Sequence, residues 1–403
     1  MKAIIAYSGG LDTSYCVLWL LDQGYEVYTL TVDTGGFTQE ELTQIATKAK
    51  ELGASEHRTV DGKPETYKEF AAYVIKGNIL RGGVYPLCVG AERMVQARHA
   101  ALYAKEIGAQ AVCHGSTGAG NDQVRFDVAL MALAPEVKII APIRELEISR
   151  DAELAYLKEK GFDFPAKKKT YSINQGILGT TIGGGETHDP WQSVPDSAYP
   201  ATVPAAKAPD QKLTLTITFE HGLPVALDGK APSTEGAALP GQHILQELNT
   251  LGAKHGVGRG IHLGDTILGI KGRIAFEAPG ATILINAHRE LEKLVQSKRQ
   301  QAMKQTIADE YGRLLHEGLW LDPVMRDLEA AMDKSQERVS GEVRVSLFKG
   351  AITVEGVKSP HSLMDAKATY GEGSKLWNGK DAEGFCKIYG IQSKLAMHHA
   401  NNT

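Results

Sequence analysis

Residues 6–14 read AYSGGLDTS, directly after the apolar run KAII at 2–5 and directly before YCVLWLL at 15–21. The pattern predicts a short buried strand at 3–7, a glycine corner, and a helix over 13–23 that Gly24 stops. Two adjacent glycines, Gly9 and Gly10, let backbone N–H groups approach an anion with no Cβ in the way. The helix start adds unpaired N–H groups and the positive end of the dipole. Ser8, Thr13 and Ser14 add hydroxyls. The corner therefore reads as a phosphate cradle. It is neither a P-loop, because GxxxxGK[ST] is absent, nor a GxGxxG dinucleotide turn. On its own the corner also reads as a plain strand-to-helix turn with Asp12 or Thr13 as the helix N-cap.

Working outward, EVYTLTVD (26–33), AQAVCHG (109–115) and VKIIAPI (137–143) read as strands, and 38–53 and 90–108 as helices closed by Gly53 and Gly108. This alternation predicts an α/β domain over 1–165, with a parallel sheet covered by helices on both faces. Ligands in such sheets sit at strand C-termini, where residues 8–14 and HGSTGAGND (114–122) both fall. From residue 166 the pattern changes. FPAKKKTYS, with its lysines at 167–169, is basic and irregular, and the Gly- and Pro-rich stretch 179–210 reads as a long loop or lid. Hairpins are expected at 212–227, turning at His221-Gly222, and at 340–359, turning at Lys349-Gly350. Residues 265–280 look strand-like, and helices are expected at 241–256 and, unbroken, at 280–313. An α+β domain over 166–360 follows from this. Residues 361–403 are too few to fold alone and are expected to dock on a neighbouring subunit.

Of the 403 residues, 42% are hydrophobic and 23% charged, as in a globular protein, and the net charge of −4 argues against a nucleic-acid partner. No apolar run reaches about 18 residues, so no membrane span is predicted. MKAIIAYSGG has no small-residue cleavage site and predicts no secretory signal. Cys16, Cys88, Cys113 and Cys386 are far apart with no CxxC pair, which fits a reduced, cytoplasmic setting and assigns no metal site.

Residues 114–126, HGSTGAGNDQVRF, combine three glycines with Asn121, Asp122 and Arg125. An arginine there can clamp a carboxylate bidentately, and Thr117, Asn121 and Asp122 suit a small zwitterion. SGGxD[ST] after a first strand resembles the pyrophosphate loop of N-type ATP pyrophosphatases. The second string is similar, nearly residue for residue, to the HGxTGxGNDQVRFE signature of the argininosuccinate synthase family, with Asp127 in place of the final glutamate. The resemblance continues through YPL (85–87), LHEGLWLDP (315–323), 336–360 and DAEGF (381–385). It implies an adenine nucleotide alpha hydrolase-like fold and a ligase that joins citrulline to aspartate through citrullyl-AMP, releasing AMP and pyrophosphate. By the same resemblance ATP is held by Ala6, Tyr7, Ser8, Gly9, Gly10, Leu11, Asp12, Thr13 and Ser14, with Val32 and Gly115 near the nucleotide. Aspartate falls to Thr117, Asn121 and Asp122, and citrulline to Tyr85, Asn121, Arg125, Ser172 and Thr181. Asp12, Asp122 and Arg125 carry the catalytic expectation. Mg²⁺ is expected with ATP, and a homotetramer with the tail reaching across.

The chain departs from the family pattern in one cluster. A serine of the family falls on Gly90, a second serine on Thr181, a citrulline-binding glutamate on Gly264 and a tyrosine on Phe276. The missing carboxylate leaves two readings. Either the adjacent Asp265 takes over, or the substrate is an N-acylated citrulline whose α-nitrogen is uncharged. Two rival functions are a tRNA-thiolating relative, disfavoured by the absent CxxC and the acidic balance, and a non-catalytic nucleotide sensor, disfavoured by the amino-acid pocket residues.

Overall fold

A computed structural model describes residues 1–164, 170–234, 238–364 and 367–400. Strands β1 (Lys2–Ala6), β2 (Glu26–Asp33), β3 (Glu56–Asp61), β4 (Ala111–Cys113) and β5 (Lys138–Ile140) form a parallel sheet in the order β3-β2-β1-β4-β5. Period-two alternation explains its two covered faces. Ile4 packs on the side of the helix Glu92–Ile107, while Ala3 and Ile5 face the helix Leu11–Asp22. Both isoleucines are fully buried, worth about 1.5–3 kcal/mol each. The chain runs outward from β1 to β3 on one side, then crosses to β4 on the other. That reversal places the loops after β1 and β4 side by side at the strand C-termini, where ligands bind in such sheets.

Strands β6 (Tyr171–Gly176), β7 (Gly179–Gly184), β8 (Leu213–Glu220), β9 (Leu223–Leu227), β10 (Arg259–Asp265), β11 (Lys271–Glu277), β12 (Gly341–Phe348) and β13 (Ala351–Lys358) make two antiparallel sheets, β10-β11-β7-β6 and β13-β12-β8-β9. Both expected hairpin turns are present. His221 and Gly222 have φ of +46° and +78°, and Lys349 and Gly350 +46° and +85°, the left-handed pair that a two-residue hairpin demands. One apolar cluster runs from Ile4 and Leu30 in the first sheet to Leu215 and Val343 in the third, so the two halves share a core. The 165/166 boundary and the lysines at 167–169 lie outside the described residues.

Three expectations need correction. The helix expected over 280–313 is two helices, Pro279–Val295 and Lys298–Glu317. Ser297 caps the second, its hydroxyl accepting from Gln300 N while the Gln300 side chain accepts from Ser297 N, a reciprocal cap that starts a helix afresh. Residues 179–184 are a strand, not loop, because β7 pairs with both β6 and β11. Of the strand-like stretch 265–280, only β11 and the last residue of β10 are strand. The rest of the 183–210 segment is fastened to β10 and β11. The Glu277 carboxylate accepts from Ala201 N and Thr202 N, both at 2.9 Å, and Arg273 donates to the carbonyls of Glu186, Asp189 and Gln192.

Candidate active site

The first loop is built to leave donors free. Gly10 is the extended N-cap of the helix Leu11–Asp22 and offers no side-chain cap. Asp12 therefore lies inside the first turn and is not the cap. Ser14 N, bonded to the Gly10 carbonyl at 3.0 Å, is the first intrahelical donor. The N–H groups of Leu11, Asp12 and Thr13 point out of the helix end, free for an anion. Gly9 has φ +71°, and a Cβ there would lie 3.0 Å from Ile45 Cγ1, so only glycine fits the corner without strain. Ser8, Gly10 and Thr13 stand on its solvent side, whereas Tyr7, Leu11, Ser14 and Val32 are buried packing. A cation that sequence reading did not find also reaches the loop: Lys48, from the helix Gln39–Glu51, donates to the Gly9 carbonyl at 3.0 Å.

The second loop leaves β4 at Cys113. Gly115 packs against the first helix, where a Cβ would meet Thr13 Cγ2 at 3.2 Å. His114 is fixed as one tautomer. Ser116 N donates to its Nδ1 at 3.3 Å, so Nε2 carries the proton and donates to Asp127 at 2.8 Å. Burial alone would raise Asp127, but hydrogen bonds from His114 and Arg144 hold it below the usual carboxylate range.

Asp122, at the start of the helix Asp122–Leu133, is clasped by two guanidinium groups. Oδ2 accepts from Arg93 at 2.9 Å and Oδ1 from Arg125 at 3.0 Å. Burial opposes its charge, yet Arg93 and Arg125 bring its pKa down to about 2. Arg125 is itself spent. Its Nε and Nη2 donate to the His316 carbonyl at 3.0 and 2.9 Å, and Nη2 also to His316 Nδ1 at 3.2 Å. The expected free carboxylate clamp is therefore a buried cation in the wall with its fork occupied. Gly90 and Gly318 seat it: Cβ atoms there would lie 3.2 Å from Arg125 Cζ and 3.0 Å from its Cγ. His316 accepts at Nδ1, so its neutral ring carries the proton on Nε2, which lacks a hydrogen-bond partner. Burial and the charges of Arg125 and Arg81 bring His316 down to about 3, with the nearby Asp265 carbonyl opposing slightly.

A cavity of about 440 Å³ joins these parts. It brings together Asp12, Tyr85, Gly115, Thr117, Asn121, Asp122, Arg125, Ser172 and Thr181 from the expected set. Ala6, Tyr7, Ser8, Gly9, Gly10, Leu11, Thr13, Ser14 and Val32 lie outside its lining. Asn121 is oriented by Ile267 N, which donates to its Oδ1 at 2.9 Å. Tyr85 is buried against Phe276 and stacked on His262, with ring centroids 5.3 and 5.4 Å away. Arg81, Asn174, His262 and His316 also line the cavity and were not found from sequence. They come from separate elements with no shared motif. Below the first loop, Glu153 faces Asp12. Burial and the Asp12 carboxylate push it up to about 8, so it holds a proton at pH 7, and its Oε2 has no donor.

Profiles described as "Arginosuccinate synthase N-terminal HUP domain" and "Arginosuccinate synthase C-terminal domain" match residues 2–163 and 171–396. An argininosuccinate synthase of Xanthomonas campestris pv. campestris is 43% identical over 396 residues, 97% of either chain. The chain belongs to the argininosuccinate synthase family. A family member from Methanocaldococcus jannaschii is 39% identical over 394 residues, 98% of this chain and 97% of that one. The family likeness thus spans both the α/β half with its two loops and the half that supplies Ser172, Thr181 and His262.

Proposed function

We propose that the chain is an ATP-dependent ligase joining citrulline to aspartate, with argininosuccinate, AMP and pyrophosphate as products. The observation that carries this reading is the cavity that Asp12 and the β4 loop share with Tyr85, Ser172 and Thr181. In this reading the triphosphate lies on the free N–H groups of Leu11 to Thr13, with Ser8, Gly9, Gly10 and Lys48 around it. The ureido oxygen of citrulline attacks the α-phosphorus, and the bond to pyrophosphate breaks, leaving citrullyl-AMP. The aspartate amine then attacks the ureido carbon, and the carbon–oxygen bond breaks to release AMP. No covalent protein nucleophile is required, and the site works by positioning and by stabilising anions.

Thr117 and Asn121 hold the substrate aspartate, and Tyr85, Ser172 and Thr181 line the citrulline channel. Asp122 positions Arg93 and Arg125, whose charge faces the reacting phosphate. Asp12 lines the cavity and presents the kind of oxygen donor that a hard divalent cation prefers. Asp12 would hold Mg²⁺, which neutralises charge on the leaving pyrophosphate when bound.

No helix among the described residues is long and apolar enough to cross a membrane, and the reading places the enzyme in the cytoplasm. The tail helices Gly379–Tyr389 and Ile391–Ala400 bury none of their residues and expose Phe385, Ile388 and Tyr389. In this reading they cover a second copy within a homotetramer. Pyrophosphate release with ATP tests the function. It is expected to require citrulline, with argininosuccinate formed only when aspartate is also present. Release that does not depend on citrulline overturns the reading.

A further inference from the structure

The end of the cavity remote from Asp12 is cationic. Arg81 lines it, and its Nη2 donates to the Asp265 carbonyl at 2.7 Å. That is the one hydrogen bond its side chain makes, and among the described residues it forms no ion pair. Burial, and then the charge of Arg125, pull it below the usual guanidinium pKa. A half-buried guanidinium with no direct ion pair, beside another guanidinium and with the Asp265 and Glu317 charges acting only at longer range, carries an electrostatic cost that a bound anion reduces. Nη2 keeps a second hydrogen, which with the N–H of Nη1 or of Nε still presents a fork of the kind that matches a carboxylate.

The same end offers no free carboxylate to an ammonium. His262 and His316 are 6% and 8% exposed, and burial with the neighbouring arginines keeps both rings neutral. The carboxylates lining the cavity are Asp12, Asp122 and Asp265. Asp12 belongs to the nucleotide end, and Asp122 is shared by Arg93 and Arg125. Asp265 pairs with Lys271 at 2.6 Å, directly opposite it in the β10–β11 register. Along a strand, successive side chains alternate faces, so Asp265 points away from the face that carries His262 and Gly264. It turns only its carbonyl to Arg81. Asp265 therefore does not take the place of the missing glutamate. At Gly264 itself a Cβ would lie 2.6 Å from His262 Nε2, so the imidazole fills the space a side chain there would need.

We propose that Arg81 anchors the α-carboxylate of the ureido substrate, and that the pocket reads this end chiefly by its carboxylate, with no free protein carboxylate to pair with the α-ammonium. The consequence, which rests on the citrulline reading above, is that an N-acylated ureido acid binds on a par with free citrulline. The experiment is titration calorimetry of the full chain with α,β-methylene-ATP present, using citrulline, N-acetylcitrulline and citrulline amide. The wild type, Arg81→Met and Arg81→Lys are compared after their melting temperatures are checked. Citrulline and N-acetylcitrulline are expected to bind within fivefold of each other, and the amide at least tenfold more weakly, as for loss of a charged hydrogen bond. Arg81→Met should weaken citrulline at least tenfold more than the amide, with Arg81→Lys recovering part of the loss. In turnover the loss should appear in KM more than in kcat. A preference for citrulline over N-acetylcitrulline beyond fivefold overturns the proposal. So does an Arg81→Met effect that falls alike on acid and amide. Failure of all three ureido compounds to bind, with no pyrophosphate release, overturns the citrulline reading itself, whereas binding without these contrasts overturns only the proposal.

Discussion

Restoring a serine at Gly90, where the family pattern has one, should harm this chain. Gly90 has φ +138°, a conformation that costs a side-chain-bearing residue about 1–3 kcal/mol. Its Cβ would stand 3.2 Å from Arg125 Cζ, closer than ordinary contact, so the guanidinium must give by a few tenths of an ångström. Retreat is limited, because Gly318 packs so closely against the Arg125 side chain that even a Cβ there would crowd it. The fork is also tied to the His316 carbonyl and Asp122 by bonds of 2.9 to 3.0 Å. Weakening one charged hydrogen bond adds about 1 kcal/mol. Gly90→Ser is thus expected to lose about 2–4 kcal/mol in urea denaturation and to raise KM for citrulline several-fold. A variant as stable as the parent, with unchanged KM, would refute the claim that glycine is needed here to seat Arg125.

Other expectations follow from named groups. His288 is fully buried and hydrogen-bonded to Asn78 and Gln336, and burial depresses it to about 4. Its folded pKa lies below the unfolded value near 6.5, so the unfolded chain binds the extra proton between these values. Stability should be fully present above pH 6.5 and fall toward pH 4 by up to about 1.4 kcal/mol per unit, and His288→Asn should flatten that slope in denaturation series. Asp122→Asn leaves Arg93 and Arg125 facing one another uncompensated. It should cost about 1–2 kcal/mol of stability, the shift to about 2 discounted for a side chain 31% exposed, and at least tenfold in kcat/KM for aspartate; parent-like values for both would remove Asp122 from its assigned role. Replacing Phe385 and Ile388, 63% and 74% exposed, with glutamate should lower the mass seen by light scattering without unfolding the chain. An unchanged mass would contradict the tail's role in assembly.

Local physics made much of this protein readable. The strand, glycine corner and helix at 2–22, the two hairpin turns and the helix closed by Gly53 all announce themselves within a few residues. The β6–β7 pair did not. YSINQG and GTTIGG lack an apolar alternation, and they are strands because β11 pairs with β7. The break at Ser297 was hidden because its cap is two polar residues in an otherwise periodic stretch. Half of the cavity wall was invisible for a related reason. Arg81 sits in a glycine turn, His262 on β10 and His316 at the end of a helix, and only the tertiary fold brings them together. Even Arg125, legible in its motif, is not the free clamp the motif suggests, because its acceptor, the His316 carbonyl, lies 191 positions away.

In the proposed reaction an oxygen of the ureido group attacks the α-phosphorus of ATP. Citrulline labelled with ¹⁸O in the ureido group, supplied together with ATP and aspartate, shows whether it does when the AMP that forms is weighed. One ¹⁸O atom is expected in the phosphate of each AMP, carried over when the carbon–oxygen bond of citrullyl-AMP breaks. Unlabelled AMP, with its new oxygen drawn from water, would contradict it.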